Sequence, residues 1–506
     1  MFRTKALTAT AVLLVAALTG CTAQAPDPDA ETGPASGTLR LTAVSSPVTL
    51  DPAGAEWGNR SPYFEAVFDT LVRIRADGAI EPWLATEWSY DDSGTTLSLT
   101  LRDDVEFSDG SPLTADVVVQ NLERFRDGTA ANAALLSGVI DIRATADAAV
   151  DIVLDKPNPA LLTYLGRDAG VIGSAESFDD EDLATNPVGS GPYIFDAAKT
   201  VIGSTYAYQR NPEYWNPEAQ HYDELIITVM PDPTAAMNAI KAGEANGVKL
   251  VSNTQRAEAE SAGWAIAASK VDVQGLYLFD RAGTLTEPLG DVRVRQALNH
   301  AIDRQGLIDA VLLGHGTPTT QVFPPSGDAF EASLDERYPY DPEKARELLA
   351  DAGYPDGLTL QLPMSTALGT TIFTVVEQQL AEVGVIVEFV DVPVTNLISD
   401  LLGAKFSASY FALESVDDWW VIESMVAPTA VWNPFRYEDP DATALIDGVR
   451  EGQDGAALEL NEYLVEEAWF APFYRAEGAY AVDAKTTVTP MASNTYPSIY
   501  DFAPKS

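Results

Sequence analysis

The chain has 506 residues, with 75 Asp and Glu against 31 Lys and Arg and a formal net charge of −44. So acidic a surface repels nucleic-acid phosphates and anionic lipid head groups, which excludes a nucleic-acid partner. The length exceeds what one hydrophobic core serves, so two or more lobes are expected, and a lone cysteine, Cys21, rules out a disulfide within the chain.

Arg3 and Lys5 precede an apolar run over residues 11–18, and Leu18, Thr19 and Gly20 lead into Cys21. A basic start, a short apolar segment and small residues make a secretory signal over residues 1–20. The run is too short for a relaxed membrane-spanning helix, and no later stretch is apolar for long enough. The Leu-Thr-Gly-Cys ending resembles the lipobox of bacterial lipoproteins. That resemblance implies a Cys21 acylated with palmitate-type chains, which hold the chain on the bilayer without a spanning helix. Residues 21–36, rich in Pro, Ala, Asp and Gly, read as a disordered tether.

Leu39, Leu41 and Ala43 alternate as a strand within 38–50, and Asp51-Pro52 turns the chain. Phe64, Val67, Phe68 and Leu71 fall at helical spacing, which predicts a helix over 63–74. Leu97, Leu99 and Leu101 alternate with polar residues as a half-buried strand. Thr114 is an N-cap for a helix whose stripe is Val118, Leu122 and Phe125. Asp232-Pro233, Asp291 and Asp341-Pro342 open further helices, and Gly353 and Gly384 close two. Arg293, Arg295 and Arg304 are expected to be solvated or ion-paired.

Five stretches carry a specific likeness: Glu81-Pro82-Trp83-Leu84-Ala85 with residues 101–118, then 186–193 (NPVGSGPY), 210–215 (RNPEYW), 291–304 and 340–354. In this order they resemble the family 5 extracellular solute-binding proteins, the oligopeptide, dipeptide and nickel receptors of ABC importers. The resemblance implies an α/β, periplasmic-binding-protein-like fold: two lobes around a ligand cleft, with an extra subdomain on the first. Its boundaries would be 37–51, 185–273 and 482–506 for lobe I, 52–184 for the inserted subdomain and 274–481 for lobe II. The ligand would sit between lobes that close about a hinge.

Residues 409–436 are the informative stretch for the ligand. Tyr410, Phe411, Ala412, Leu413 and Glu414 read as a strand, followed by Asp417, Asp418, Trp419 and Trp420, then Trp432 and Asn433. In peptide-binding members this strand pairs with the bound peptide backbone, and an aspartate after it holds the α-ammonium. Here Glu414 falls near that place and Asp417-Asp418 replaces an Asp-Pro turn. The anchor is therefore Glu414 or Asp417, or is missing, and Asp417 reads equally well as a helix cap. Trp419 and Trp420 read as core or as cleft wall. Trp57, Tyr63, Tyr474 and Arg475 are further wall candidates, with a solvated Arg475 the blander alternative.

Three histidines without metal-ligand spacing, and no Gly-x-Ser-x-Gly elbow, argue against an enzyme. No cofactor or metal site is expected. The sequence thus reads as a monomeric, lipid-anchored, extracytoplasmic receptor that hands a small peptide to ABC permease subunits. An oligosaccharide or metal complex is the alternative ligand, and a secreted hydrolase the alternative class.

Overall fold

The computed structural model describes residues 37–365 and 371–505. The predicted signal, Cys21 and the tether lie outside them. Among the described residues no helix is long and apolar enough to cross a membrane.

The first lobe is built on a seven-stranded sheet. Thr38–Ala43 runs parallel to Glu224–Val229 on one side and to Gly247–Leu250 on the other. Antiparallel strands extend both flanks: Thr205–Arg210 and Tyr193–Phe195, and Gly478–Val482 and Ala265–Ser269. Helices Pro233–Ala242 and Asn253–Ser261 cover one face, burying Met237, Ile240 and Ala259 against Val248 and Leu250. Each fully buried large aliphatic side chain contributes about 1.5–3 kcal/mol. The insert carries a four-stranded antiparallel sheet under helix Ala115–Arg126.

The second lobe has an antiparallel sheet in the order Gly316–Pro318, Phe470–Ala476, Asp272–Leu278, Ala408–Glu414. A parallel pair, Leu358–Met364 and Val385–Asp391, continues the lobe. The predicted caps are in place: Thr114, Asp232, Asp291 and Asp341 each accept a backbone N–H of the following first turn. Gly353 and Gly384 take φ of 98° and 89°, the left-handed turn that a side chain disfavours.

The crossings between lobes lie between Ser269 and Asp272 and between Ala476 and Gly478. Strand Gly478–Val482 belongs whole to the first lobe's sheet, so the return falls a few residues before the expected 482. Asp272 and Val273 conversely belong to the second lobe's sheet.

The expected helix over 63–74 is instead Ser61–Val67 followed by two short strands. The Val67 carbonyl accepts the Gly191 N–H at 2.8 Å, and a side chain at Gly189 or Gly191 would run into that carbonyl. The turn of residues 186–193 thus takes the hydrogen bond that would have carried the helix on. Arg295 and Arg304 are buried rather than solvated. Arg295 donates to the carbonyls of Leu289 and Glu467 and is ion-paired, as expected, with the Glu467 carboxylate at 3.8 Å. Arg304 donates to those of Thr319, Pro472, Asn299 and Tyr338. Arg293 pairs with Asp291 at the surface, as expected.

Three of the sequence motifs meet at one buried carboxylate, Asp69. It accepts from the indole nitrogens of Trp83 at 2.7 Å and Trp215 at 3.0 Å. Ser190 Oγ donates at 2.9 Å, Tyr214 OH at 2.9 Å and Tyr500 OH at 3.2 Å. Burial pushes this carboxyl up, and the donors from Trp215, Ser190, Trp83 and Tyr214 oppose it. The motifs that look like a signature therefore tie the insert to the first lobe.

Candidate functional site

Strand Ala408–Glu414 ends at the lobe junction, and Glu414 is its last residue. The carboxylate of Glu414 lies 3.9 Å from Arg167 Nη2, which comes from the insert. Arg167 is 4% exposed. It donates to the Ser493 carbonyl at 3.3 Å, and its guanidinium carbon sits 5.6 Å from the Trp420 ring centre. Its Nε has no hydrogen-bond partner and lies 3.8 Å from Asp168.

Asp168 is buried beside it. The carboxylate accepts the Trp57 N–H at 2.8 Å and the Asn132 amide at 2.7 Å. Burial raises its pKa, and Arg167 opposes the rise. From the first lobe, Lys249 donates to Asn59 at 2.7 Å and to Thr495 at 3.1 Å. Burial pushes its pKa down, against the pull of Asp272 and Glu414. The junction thus presents Arg167 and Lys249 from one side and Glu414 and Asp272 from the other.

A cavity of about 430 Å³ opens beside this cluster, between the insert and the second lobe. Asn132, Tyr164, Trp420, Glu423, Ser424 and Thr429 are among its lining residues. Tyr164 OH donates to Glu423 at 2.8 Å across the gap, and the Tyr164 and Trp420 rings meet edge-on at 6.2 Å. An aromatic wall with polar groups around it can enclose an organic solute and orient it by a few hydrogen bonds.

The other expected site residues divide. Trp420 lines the cavity. Trp419, next to it on the short helix Asp418–Val421, is buried in the core. Asp417 caps that helix through the Trp420 N–H at 2.8 Å. Asp418 accepts the Ala329 N–H at 2.9 Å. Phe411 and Trp432 are half-buried with ring centres 5.0 Å apart, Ala412 is exposed and Leu413 is buried. Asn433 is fully buried and ties Arg281 to the Ala427 and Tyr437 carbonyls.

Four wall candidates prove internal. Tyr63 packs edge-on against Tyr206 inside the first lobe, its hydroxyl on the Ser45 carbonyl. Trp57 is buried and meets the junction through its backbone N–H to Asp168. Tyr474 is fully buried, bonded to the Tyr410 hydroxyl at 3.1 Å, while Tyr410 donates to Gln274 at 2.7 Å. Arg475 is 2% exposed, not solvated, and donates to the carbonyls of Gln321 and Phe323. The period-two pattern of strand Phe470–Ala476 does not separate core from cleft, because the strand is buried on both faces.

Arg167, Asp168, Lys249 and Asp272 were not anticipated. Arg167-Asp168 is a charged pair inside the apolar stretch 161–172, and that interruption was the available signal. Lys249 and Asp272 stand far apart in sequence and meet only through the sheet crossings.

Besides Asp69 and Asp168, further buried carboxyls couple the fold to pH. Burial pushes Glu65 up to about 7 and Asp272 and Asp418 up to about 6. A carboxyl with a folded pKa above its unfolded value of about 4 binds more protons folded than unfolded between those values. Stability is therefore full below that window and falls as pH rises through it. Urea unfolding is expected to show a higher midpoint at about pH 5.5 than at about pH 7.5, and a flatter profile in Glu65→Gln. A midpoint that rises with pH would contradict this account.

The model of the bacterial extracellular solute-binding proteins, family 5 (middle), matches residues 79–432. The glutathione-binding protein GsiB of Salmonella typhimurium is 30% identical over 346 residues, 67% of this chain and 66% of that protein's length. The nickel-binding periplasmic protein of Escherichia coli is 29% identical over 300 residues, 57% of this chain and 56% of that protein. The structure of the ABC transporter-associated periplasmic binding protein DppA from Helicobacter pylori, in complex with peptide STSA, superposes with a TM-score of 0.75 at 21% identity. It covers 94% of this chain and 99% of that one.

Proposed function

The chain belongs to the family 5 bacterial extracellular solute-binding proteins, and from that membership we propose that it is the extracytoplasmic receptor of an ABC importer for a short, peptide-like solute. The observation that carries the reading is the pairing of opposite charges across the lobe junction, Glu414 against Arg167 at 3.9 Å. A zwitterionic solute entering there exchanges this loose pair for two charge-assisted hydrogen bonds, its ammonium to Glu414 and its carboxylate to Arg167. The neighbouring cavity then takes a side group against Trp420. The relative named above as binding glutathione, and the neighbour solved with a peptide, support the same class of ligand.

In this reading the chain binds and releases, and carries out no catalytic step. Cys21 is the acylated anchor, and permease subunits receive the closed, loaded form. A second reading keeps the receptor and changes the solute. The cavity's Trp420 and Tyr164 among Asn132, Ser424 and Thr429 also suit a sugar face, and the relative named as binding nickel argues for a metal complex. Native mass spectrometry of the protein purified without denaturation, followed by release of what it carries, decides between them. Short peptides are the expected cargo. A discrete oligosaccharide or metal complex would overturn the peptide reading while leaving the transport role standing.

A further inference from the structure

Asp272 stands directly opposite Glu414 in the antiparallel ladder, at the end nearest the lobe crossing. Side chains so paired share a face with Cβ atoms about 4.5–5.5 Å apart, and like charges there repel. Among the described residues neither carboxylate accepts a hydrogen bond from the chain. The two cations at hand are engaged elsewhere. Lys249 donates to Asn59 and Thr495. Arg167 donates to Ser493, reaches Glu414 only at 3.9 Å and leaves its buried Nε without a hydrogen bond.

We propose that Asp272 is a second ligand-binding carboxylate, which with Glu414 forms a two-sided seat for a primary ammonium of the solute. The inference rests on the peptide-like reading above and adds a residue that selects within that class. A primary ammonium has three N–H donors and reaches both carboxylates, whereas an acylated amine is neutral and has one. The seat therefore favours solutes with a free amine over their N-acylated forms. The geometry also explains why two like charges persist on one strand pair: the cost in the empty cleft is relieved when the cation arrives.

Proton linkage follows. Burial, then the charge of Glu414, pushes Asp272 up to about 6, and Lys249 opposes them. Beyond Glu414 stand Arg167 and Asp168, and Tyr277 lies on the strand of Asp272 itself. An incoming ammonium favours ionised Asp272, so binding expels a proton below that pH. Affinity for an amine-bearing solute then rises with pH through about 6 and levels above it.

The test is calorimetric titration of the full mature protein with trialanine and with N-acetyl-trialanine, at about pH 5.5 and about pH 7.5. Asp272→Asn is expected to lose about tenfold or more in affinity for trialanine at the higher pH, and little for the acetylated peptide. It should also lose the pH dependence. Wild-type affinity for trialanine matched by Asp272→Asn at both pH values overturns the inference alone. Wild-type protein that binds neither peptide overturns the peptide reading and this inference with it. Should Asp272→Asn not fold, titrating the wild type in two buffers of different ionisation heat gives the proton count. Release of a proton near pH 6 is expected, and none released overturns the proposal.

Discussion

Asp69→Ala is expected to lower the free energy of unfolding by about 4 kcal/mol or more. The buried carboxylate accepts from two indoles and three hydroxyls. Hydroxyls can rotate to new acceptors, but the Trp83 and Trp215 N–H groups have fixed directions. Each buried donor left unmet costs about 1–3 kcal/mol. Urea unfolding followed by tryptophan fluorescence measures the loss, since both indoles report on the site. Asp69→Asn keeps the size but turns an amide N–H₂ toward some of these donors, so it should recover only part of the stability. A midpoint for Asp69→Ala indistinguishable from wild type would mean that the motifs converge on Asp69 without depending on it.

Arg167→Met is expected to weaken binding of the native cargo about 100-fold or more and to destabilise the protein by about 3 kcal/mol. The two effects have separate causes. Affinity falls because the cleft loses its anion-facing charge. Stability falls because Asp168, itself buried, keeps its bonds to Trp57 and Asn132 but loses its neighbouring cation. The double variant Arg167→Met with Asp168→Asn separates them. Its unfolding midpoint should return toward wild type, while its affinity stays low. Recovery of affinity in the double variant would place Arg167 in the scaffold and remove it from the ligand site.

The elements legible in the sequence were those with local causes. Asp341-Pro342 announces a helix start because the carboxylate side chain can cap the Lys344 N–H and proline needs no N–H at the first position. Strand Thr96–Leu101 shows itself because only one face is buried. The helix expected to run to residue 74 failed because its terminating partner, Gly191, is more than a hundred residues away in the chain. Arg304, which is neither solvated nor ion-paired, escaped the sequence for a similar reason, whereas Arg295 keeps the expected ion pair, with Glu467, but inside the fold. The charge of Arg304 suggests solvent or a carboxylate partner, and only the fold supplies the carbonyl oxygens that replace them.

The site divides the same way. Glu414 was legible because it ends a strand of recognisable pattern, and Asp417 was legible as a cap because the cap lies three residues from its donor. Tyr474 and Arg475 belong to a strand covered on both faces, and nothing in the alternation of residues tells which face meets the cleft. Trp419 and Trp420 would part company on a strand as well, and only the packing of their helical segment decides which of them meets the core. Adjacent residues on a helix point about 100° apart, so one enters the core and the other the cavity.

The sequence by itself determined the lobed α/β architecture, the family and most helix starts, since these depend on periodicity, caps and motifs read within a few residues. Tertiary structure alone decided the charge constellation at the lobe junction. Arg167, Lys249, Asp272 and Glu414 come from four separate stretches, brought together where the chain crosses between the lobes. Coulomb interaction depends on separation in space and on burial, and neither is written in the order of the residues.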